Sequence, residues 1–252
     1  MAAKHSHHPG EDKVVLITGS ARRIGAALVR GLHRDGYRVV IHYRESAVAA
    51  NALRDELNQL RPDSAAAIRA DLGESDRLSA LIEDACGFFD GLDVLINNAS
   101  SFYPTPIGKI TEIDWADLMG SNLKAPLFLC QAAAPMLRER HGAIINMVDI
   151  YARRPLPDHP VYSAAKAGLA ALTLALARDL APEVRVNGIA PGPILWPESG
   201  GDSAAKQQVL AETCLGRIGD PDDIVDCARY LLGAGFVTGQ IIAVDGGRGL
   251  GW

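Results

Sequence analysis

A tyrosine and a lysine four positions apart, Tyr162 and Lys166, are a pair able to do proton chemistry. At this spacing both lie on one face of a helix, a turn apart. An ammonium beside a phenol lowers its pKa, so the spacing predicts that Tyr162 is a usable acid near neutral pH. The run Thr18-Gly19-Ser20-Ala21-Arg22-Arg23-Ile24-Gly25 suits a different task. Gly19 permits a tight turn and Gly25 a close helix–strand approach. A helix starting there offers free N–H groups to a pyrophosphate. Arg23 stands where dinucleotide fingerprints have their middle glycine, and a guanidinium there suits the pyrophosphate or an anionic substrate. Beyond Gly25 comes Tyr43, at the distance where NAD-binding folds place an acid for the ribose 2′-hydroxyl. Arg44 and Ser46 follow it and suit a 2′-phosphate, which favours NADP(H), while Glu45 between them is able to take a 2′-hydroxyl itself. Asn97-Asn98-Ala99 ends an apolar run and is placed to line the nicotinamide side of a cleft.

The elements that must position these groups follow from periodicity. Short runs rich in Val and Ile at 14–18, 38–43, 64–70, 94–97, 143–148, 184–189 and 241–244 read as strands. Several are apolar on both faces, as in a parallel sheet covered on both sides. Helical patterns lie between them at 23–35, 46–60, 75–90, 112–138, 161–181 and 221–233. Regular alternation predicts right-handed crossovers and an α/β, Rossmann-like, doubly wound parallel sheet of about seven strands. It fills residues 12–252 as a single NADP-binding domain, after a disordered tail at 1–11 that carries His5, His7 and His8. Segments 99–111 and 191–213 read as loops after strand C-termini, where open α/β sheets bind ligands. The second is long enough for a lid.

Composition excludes other classes. A net charge of −5 argues against nucleic acid as a partner. Four scattered cysteines, Cys86, Cys130, Cys214 and Cys227, form no Cys-x-x-Cys pair, so neither disulfides nor a metal site is expected, and reduced thiols fit a cytoplasmic protein. The start of the chain lacks the apolar core of a signal peptide. The weakly charged stretch 118–137 is interrupted by Asn122, Lys124, Pro126 and Gln131, which makes a poor membrane span.

Taken together, Thr18-Gly19…Gly25, Asp71-Leu72, Asn97-Asn98-Ala99, Asn122, Tyr162-xxx-Lys166, Pro191-Gly192 and Thr238-Gly239-Gln240…Val244-Asp245-Gly246-Gly247 resemble the short-chain dehydrogenase/reductase family over about residues 12–248. The resemblance implies that Lys166 also holds the nicotinamide ribose and that Asn122 anchors a relay water. It also implies that Asp71 and Leu72 flank the adenine, and that Gly19, Arg23, Ile24, Asn98, Ala99, Pro191 and Gly192 line the cofactor. The family pattern has a serine 13 residues before the tyrosine; here that position is Asp149. An ionised aspartate cannot donate to a carbonyl oxygen, so a ring C=N bond is better served than a ketone. His42-Tyr43-Arg44-Glu45-Ser46, Asn98-Ala99-Ser100-Ser101-Phe102-Tyr103-Pro104-Thr105-Pro106, Gly120-Ser121-Asn122 and Asn146-Met147-Val148-Asp149 narrow the resemblance to pteridine reductases.

That narrower resemblance implies a pterin held between Phe102 and the nicotinamide, with Ser100 on its edge and Arg23 near both pterin and pyrophosphate. Hydride then passes from NADPH to a pterin ring carbon, and Tyr162 and Asp149, with a water, protonate the adjacent nitrogen. Dihydropterin is the implied substrate, with oxidised pterin or dihydrofolate as further ones. A ketone reductase of the 3-oxoacyl or sugar type is the alternative on the same fold. Leu195, Trp196 and Pro197 are placed either to cap the pterin or to pack. Residues 248–252 are placed to approach a neighbouring subunit. Small-residue faces on 112–138 and 161–181 suit packing against copies of the chain, and the resemblance implies a homotetramer.

Overall fold

Runs that are apolar at every position have no face for water, so they must be covered on both sides. In the computed structural model, which describes residues 10–196 and 203–250, they are. The strands are β1 (Val14–Ile17), β2 (Arg38–Tyr43), β3 (Ala65–Arg69), β4 (Val94–Asn97), β5 (Ala143–Met147), β6 (Arg185–Pro191) and β7 (Ile241–Val244). They form one parallel sheet in the order β3-β2-β1-β4-β5-β6-β7. Side chains alternate across it. Val15, Ile17, Val39 and Ile41 enter one core, and Val14, Leu16 and Val40 enter the other. Helices α1 (Arg23–Arg34), α2 (Ala47–Leu60) and α8 (Pro221–Gly233) cover the first face. The second is covered by α3 (Leu78–Gly87), α5 (Ala125–Glu139) and α6 (Pro160–Asp179). Strand order reverses between β1 and β4, so their C-terminal ends open a crevice at the topological switch point.

Three elements differ from expectation. The single helix predicted over 112–138 is α4 (Glu112–Met119), a π-helical turn at Gly120–Lys124, and then α5. Pro126 has no N–H for the Asn122 carbonyl, so a continuous α-helical ladder is impossible across Asn122. The loop predicted at 191–213 contains α7 (Ser203–Ala211), made of good helix formers but without a buried side chain, hence without apolar periodicity to announce it. Strand β6 runs two residues past its predicted end, to Pro191.

Of the predicted tail, residues 1–9 lie outside the described residues. Gly10 belongs to the fold: its N–H donates to Asp35 O at 3.0 Å and its backbone lies against the Tyr37 ring. Among the described helices, α6 rather than 118–137 is long and apolar enough to cross a bilayer. Its buried face packs on β6 and carries Lys166. None of the four cysteines is in a disulfide.

Candidate active site

The crevice is held open by the backbone of two strand ends. Thr18 Oγ1 accepts from the N–H groups of Asn98 and Ala99 at 2.9 and 3.0 Å, and Asn98 Nδ2 donates to the Thr18 and Gly19 carbonyls at 2.9 and 3.0 Å. Gly19 has φ +58°, and a Cβ there would lie 2.8 Å from Ala99 Cα. A Cβ on Gly25 would lie 2.6 Å from Gly19 O. These glycines therefore make the turn and the close approach for which their types were read. The result is a cleft of about 470 Å³ that gathers Gly19, Arg23, Ile24, Arg44, Asp71, Leu72, Asn98, Ala99 and Ser100. It is shaped and charged for a dinucleotide: the N-terminus of α1 and Arg22 and Arg23 lie at one part, Arg44 and Asp71 at another. Ser46 stands at the N-cap position of α2, makes no side-chain capping bond there and does not line the cleft, and Pro191 and Gly192 sit at the end of β6, where the Gly192 N–H donates to Val244 O at 2.9 Å. His42, which sequence reasoning did not select, lines the cleft at the end of β2.

Arg23 takes φ +53°, the left-handed conformation for which a glycine would ordinarily be chosen. Its two terminal nitrogens reach the Trp196 carbonyl at 3.3 and 3.4 Å, so the side chain spans the cleft mouth. A non-glycine residue pays about 1 kcal/mol for this conformation. Arg23→Gly is therefore expected to raise stability by about that much, with a higher KM for cofactor or substrate. Denaturant titration and steady-state kinetics check it; no gain in stability together with an unchanged KM would refute it.

The second half of the site is a buried proton network on β5 and α6. Asp149 lies just past β5 and caps a short 3-10 turn, its Oδ1 accepting from the Tyr151 N–H at 2.9 Å. Its Oδ2 accepts from the Tyr162 hydroxyl at 2.6 Å. One turn along α6, the buried Lys166 ammonium donates to Met147 O at 2.8 Å and lies 5.7 Å from the Tyr162 ring centre. Burial pushes the Asp149 carboxyl above the usual carboxylate range, against the hydrogen bonds from Tyr151 and Tyr162 and the charge of Lys166. Burial also lowers Lys166 to about 8, against the charge of Asp149.

Tyr162 departs from its sequence expectation. Its pKa is pushed upward, by burial first and then by the Asp149 charge and hydrogen bond. Lys166 was expected to lower it, but the nearer group is a carboxylate and the lysine's donation is spent on a carbonyl. A proton at this position is therefore shared within the Asp149–Tyr162 pair rather than held by the phenol alone.

Asn122 sits in the π-helical turn, fully buried. Its Nδ2 donates to Ser101 O at 2.9 Å and Leu118 O at 3.0 Å, which ties this turn to the loop after β4. Its Oδ1 is buried without a partner and is available as an acceptor. From the same loop Phe102, 55% exposed, projects over the network. One contact is edge-on to the Tyr162 ring at 4.8 Å and the other is a stack on the His159 ring at 4.8 Å. Tyr103 packs against the cluster of Leu118, Val161 and Tyr162. The Trp196 ring lies under Lys206 of α7, with Nζ 5.5 Å from its centre. Pro197 and Trp252 lie outside the described residues.

Comparison with known proteins agrees with this arrangement. A family model described as enoyl-(acyl carrier protein) reductase matches residues 19–248. Pteridine reductase 1 of Leishmania tarentolae is 36% identical, over 94% of this chain and 96% of that protein. A 3-oxoacyl-(acyl-carrier-protein) reductase of Staphylococcus aureus is also 36% identical, over 93% of this chain and 97% of its own length. An uncharacterized oxidoreductase of Methylorubrum extorquens is 34% identical, over 94% and 98%.

Proposed function

The chain belongs to the short-chain dehydrogenase/reductase family, and we propose that within it this protein reduces the ring of a dihydropterin, and of related oxidised pterins or dihydrofolate, with NADPH. The observation that carries the reading is the 2.6 Å hydrogen bond from Tyr162 to Asp149. A ketone needs a hydroxyl donor beside the tyrosine, and this chain has a carboxyl group there. A ring nitrogen that must gain a proton is served by a carboxyl whose pKa burial has raised.

The residues present fit the cofactor. The N–H groups at the start of α1 would hold the pyrophosphate beside the Gly19 turn, Asp71 and Leu72 would flank the adenine, and Arg44 would meet a 2′-phosphate. Arg44 already has Glu45 at 3.6 Å, so a 2′-phosphate would compete with that carboxylate for it. When bound, NADPH supplies the hydride. The protein orients and protonates. Phe102 offers an exposed aromatic face to a planar ring beside Tyr162. Ser100 would hydrogen-bond the edge of that ring. Asn122 would hold a water on its free Oδ1, and that water would connect the pair to solvent. Lys166 would hold the ribose and keep positive charge below the pair.

Asp149 holds the proton that moves. With Asp149 protonated, the pair carries two protons and donation leaves one shared between its oxygens. With Asp149 ionised, donation would leave two anions 2.6 Å apart. The neutral pair is therefore the active form.

NADPH oxidation measured side by side with biopterin, dihydrobiopterin, dihydrofolate and a 3-oxoacyl thioester tests the assignment. Turnover confined to the pterin and folate rings is expected; turnover of the thioester alone would overturn it. In the same reading the active species is a homotetramer of a cytoplasmic enzyme. The outer faces of α5 and α6 leave Leu127, Phe128 and Leu174 partly exposed, and sedimentation as a monomer would contradict the assembly.

A further inference from the structure

His42 is a polar side chain, 2% exposed, inside a strand whose other interior residues are Val and Ile. Such a group is retained only where its hydrogen bonds are made. Nδ1 accepts from the Gly19 N–H at 3.0 Å, and Nε2 lies 3.2 Å from Ala70 O. The main-chain oxygen of the same residue accepts from the Ser20 N–H at 2.9 Å. One residue thus ties the glycine turn to the end of β2 and to the segment that leads into Asp71 and Leu72. All three pieces line the dinucleotide cleft.

Both partners of the ring are backbone groups. An N–H can only donate and a carbonyl can only accept, so the ring must carry its single proton on Nε2 and leave Nδ1 bare. A second proton, on Nδ1, would face the Gly19 N–H donor against donor. We propose that His42 is the positioning residue of the cofactor site, its neutral imidazole setting the Gly19 turn by accepting that N–H. The proposal rests on the dinucleotide reading of the cleft and not on the pterin.

Two consequences follow. The Gly19 and Ser20 N–H groups are turned inward onto His42, so a pyrophosphate must take its donors from the following residues, Arg22 to Gly25, at the start of α1. The turn also depends on the ring staying neutral. The charged groups around the same cleft are Arg44 just after β2, Asp71 after β3, Arg22 and Arg23 on the turn, and Asp117 on α4. Asp71 favours protonation, yet burial outweighs it and lowers the ring to about 4.

Two amides separate positioning from simple packing. In His42→Asn the side-chain oxygen takes the place of Nδ1 and keeps the acceptor for Gly19. In His42→Gln the polar end reaches the place of Nε2 and keeps only the contact to Ala70. NADP+ affinity, read by calorimetry, is expected to stay within about threefold of wild type in His42→Asn and to fall about tenfold or more in His42→Gln and His42→Leu, the loss that stranding a buried N–H produces. Equal affinity of the Asn and Gln variants, or wild-type affinity in the Leu variant, would overturn the assignment. Should the variants fail to fold, imidazole 15N spectra of the wild-type protein decide. A neutral Nε2–H ring from about pH 5.5 to 8 is expected; a ring that titrates in that range or carries its proton on Nδ1 overturns the proposal. A wild type that binds no NADP(H) removes the dinucleotide reading itself, and this inference with it.

Discussion

Replacing Asp149 with serine, the family's residue at that position, is expected to lower kcat for pterin reduction by about 10²- to 10³-fold, the usual worth of a positioned general acid. NADP+ binding should be nearly unchanged. The carboxyl touches Tyr162 and the Tyr151 N–H and makes no contact with the turn after β1. Serine fits the space and caps the same 3-10 turn, so the fold is not at stake. What it lacks is an acidic proton: its hydroxyl donates a hydrogen bond but does not ionise. Asp149→Asn sharpens the test, because it keeps an acceptor for Tyr162 and carries no ionisable proton. Wild-type activity should fall as pH rises through the raised carboxyl pKa, since the protonated pair is the donor in the proposed mechanism. In the Asn variant that limb should vanish from the residual rate. Stopped-flow hydride transfer across pH checks both. Undiminished pterin turnover by Asp149→Ser would remove the assigned role.

How much of this was legible in sequence depends on whether a residue's role is local. All seven strands were readable because each is a short run of mostly Val, Ile, Leu or Ala, a signal that needs no partner. The pairing of Tyr162 with Lys166 was readable from one helical turn. The reading failed where a third group intervened. The expected drop in the phenol pKa assumed that lysine was the nearest charge; Asp149 stands closer, and only the way β5 delivers residue 149 against α6 reveals that. His42, read only as part of a motif, was assigned no role for the same reason: its partners come from the ends of β1 and β3. The break at Gly120–Lys124 was missed because the helical patterns on either side of it were read as one, although Pro126 held the clue. Arg23 was the opposite case. The absence of a glycine from a glycine position was visible in sequence, and the structure shows its cost in a positive φ.

Replacing Lys166 with methionine is expected to abolish most activity while leaving the protein folded. Lys166 is buried and holds a charge that burial disfavours, against a single carbonyl bond to Met147 and the field of Asp149. Exchanging a buried charge for an apolar chain of similar length is commonly neutral or stabilising, while the stranded Met147 carbonyl costs about 1–3 kcal/mol. The two effects oppose, so the change in stability should be small. Catalysis has no such offset. The ammonium is the only cation beneath the Asp149–Tyr162 pair among the described residues, and it opposes the negative charge that grows there as the pair gives up its proton. Its removal should cost on the order of 10³-fold in kcat/KM, in the range of losing a preorganised electrostatic stabiliser. In wild type the same dependence gives a second limb: activity falls as pH rises through about 8, where Lys166 loses its charge. That limb should persist in Asp149→Asn, because the lysine keeps its place, though the neutral amide no longer holds its pKa up and the limb moves to lower pH. Rates and thermal unfolding measured together separate the outcomes. An unfolded Lys166→Met would make the lysine a structural residue, and a folded variant with wild-type kcat/KM would remove it from the mechanism.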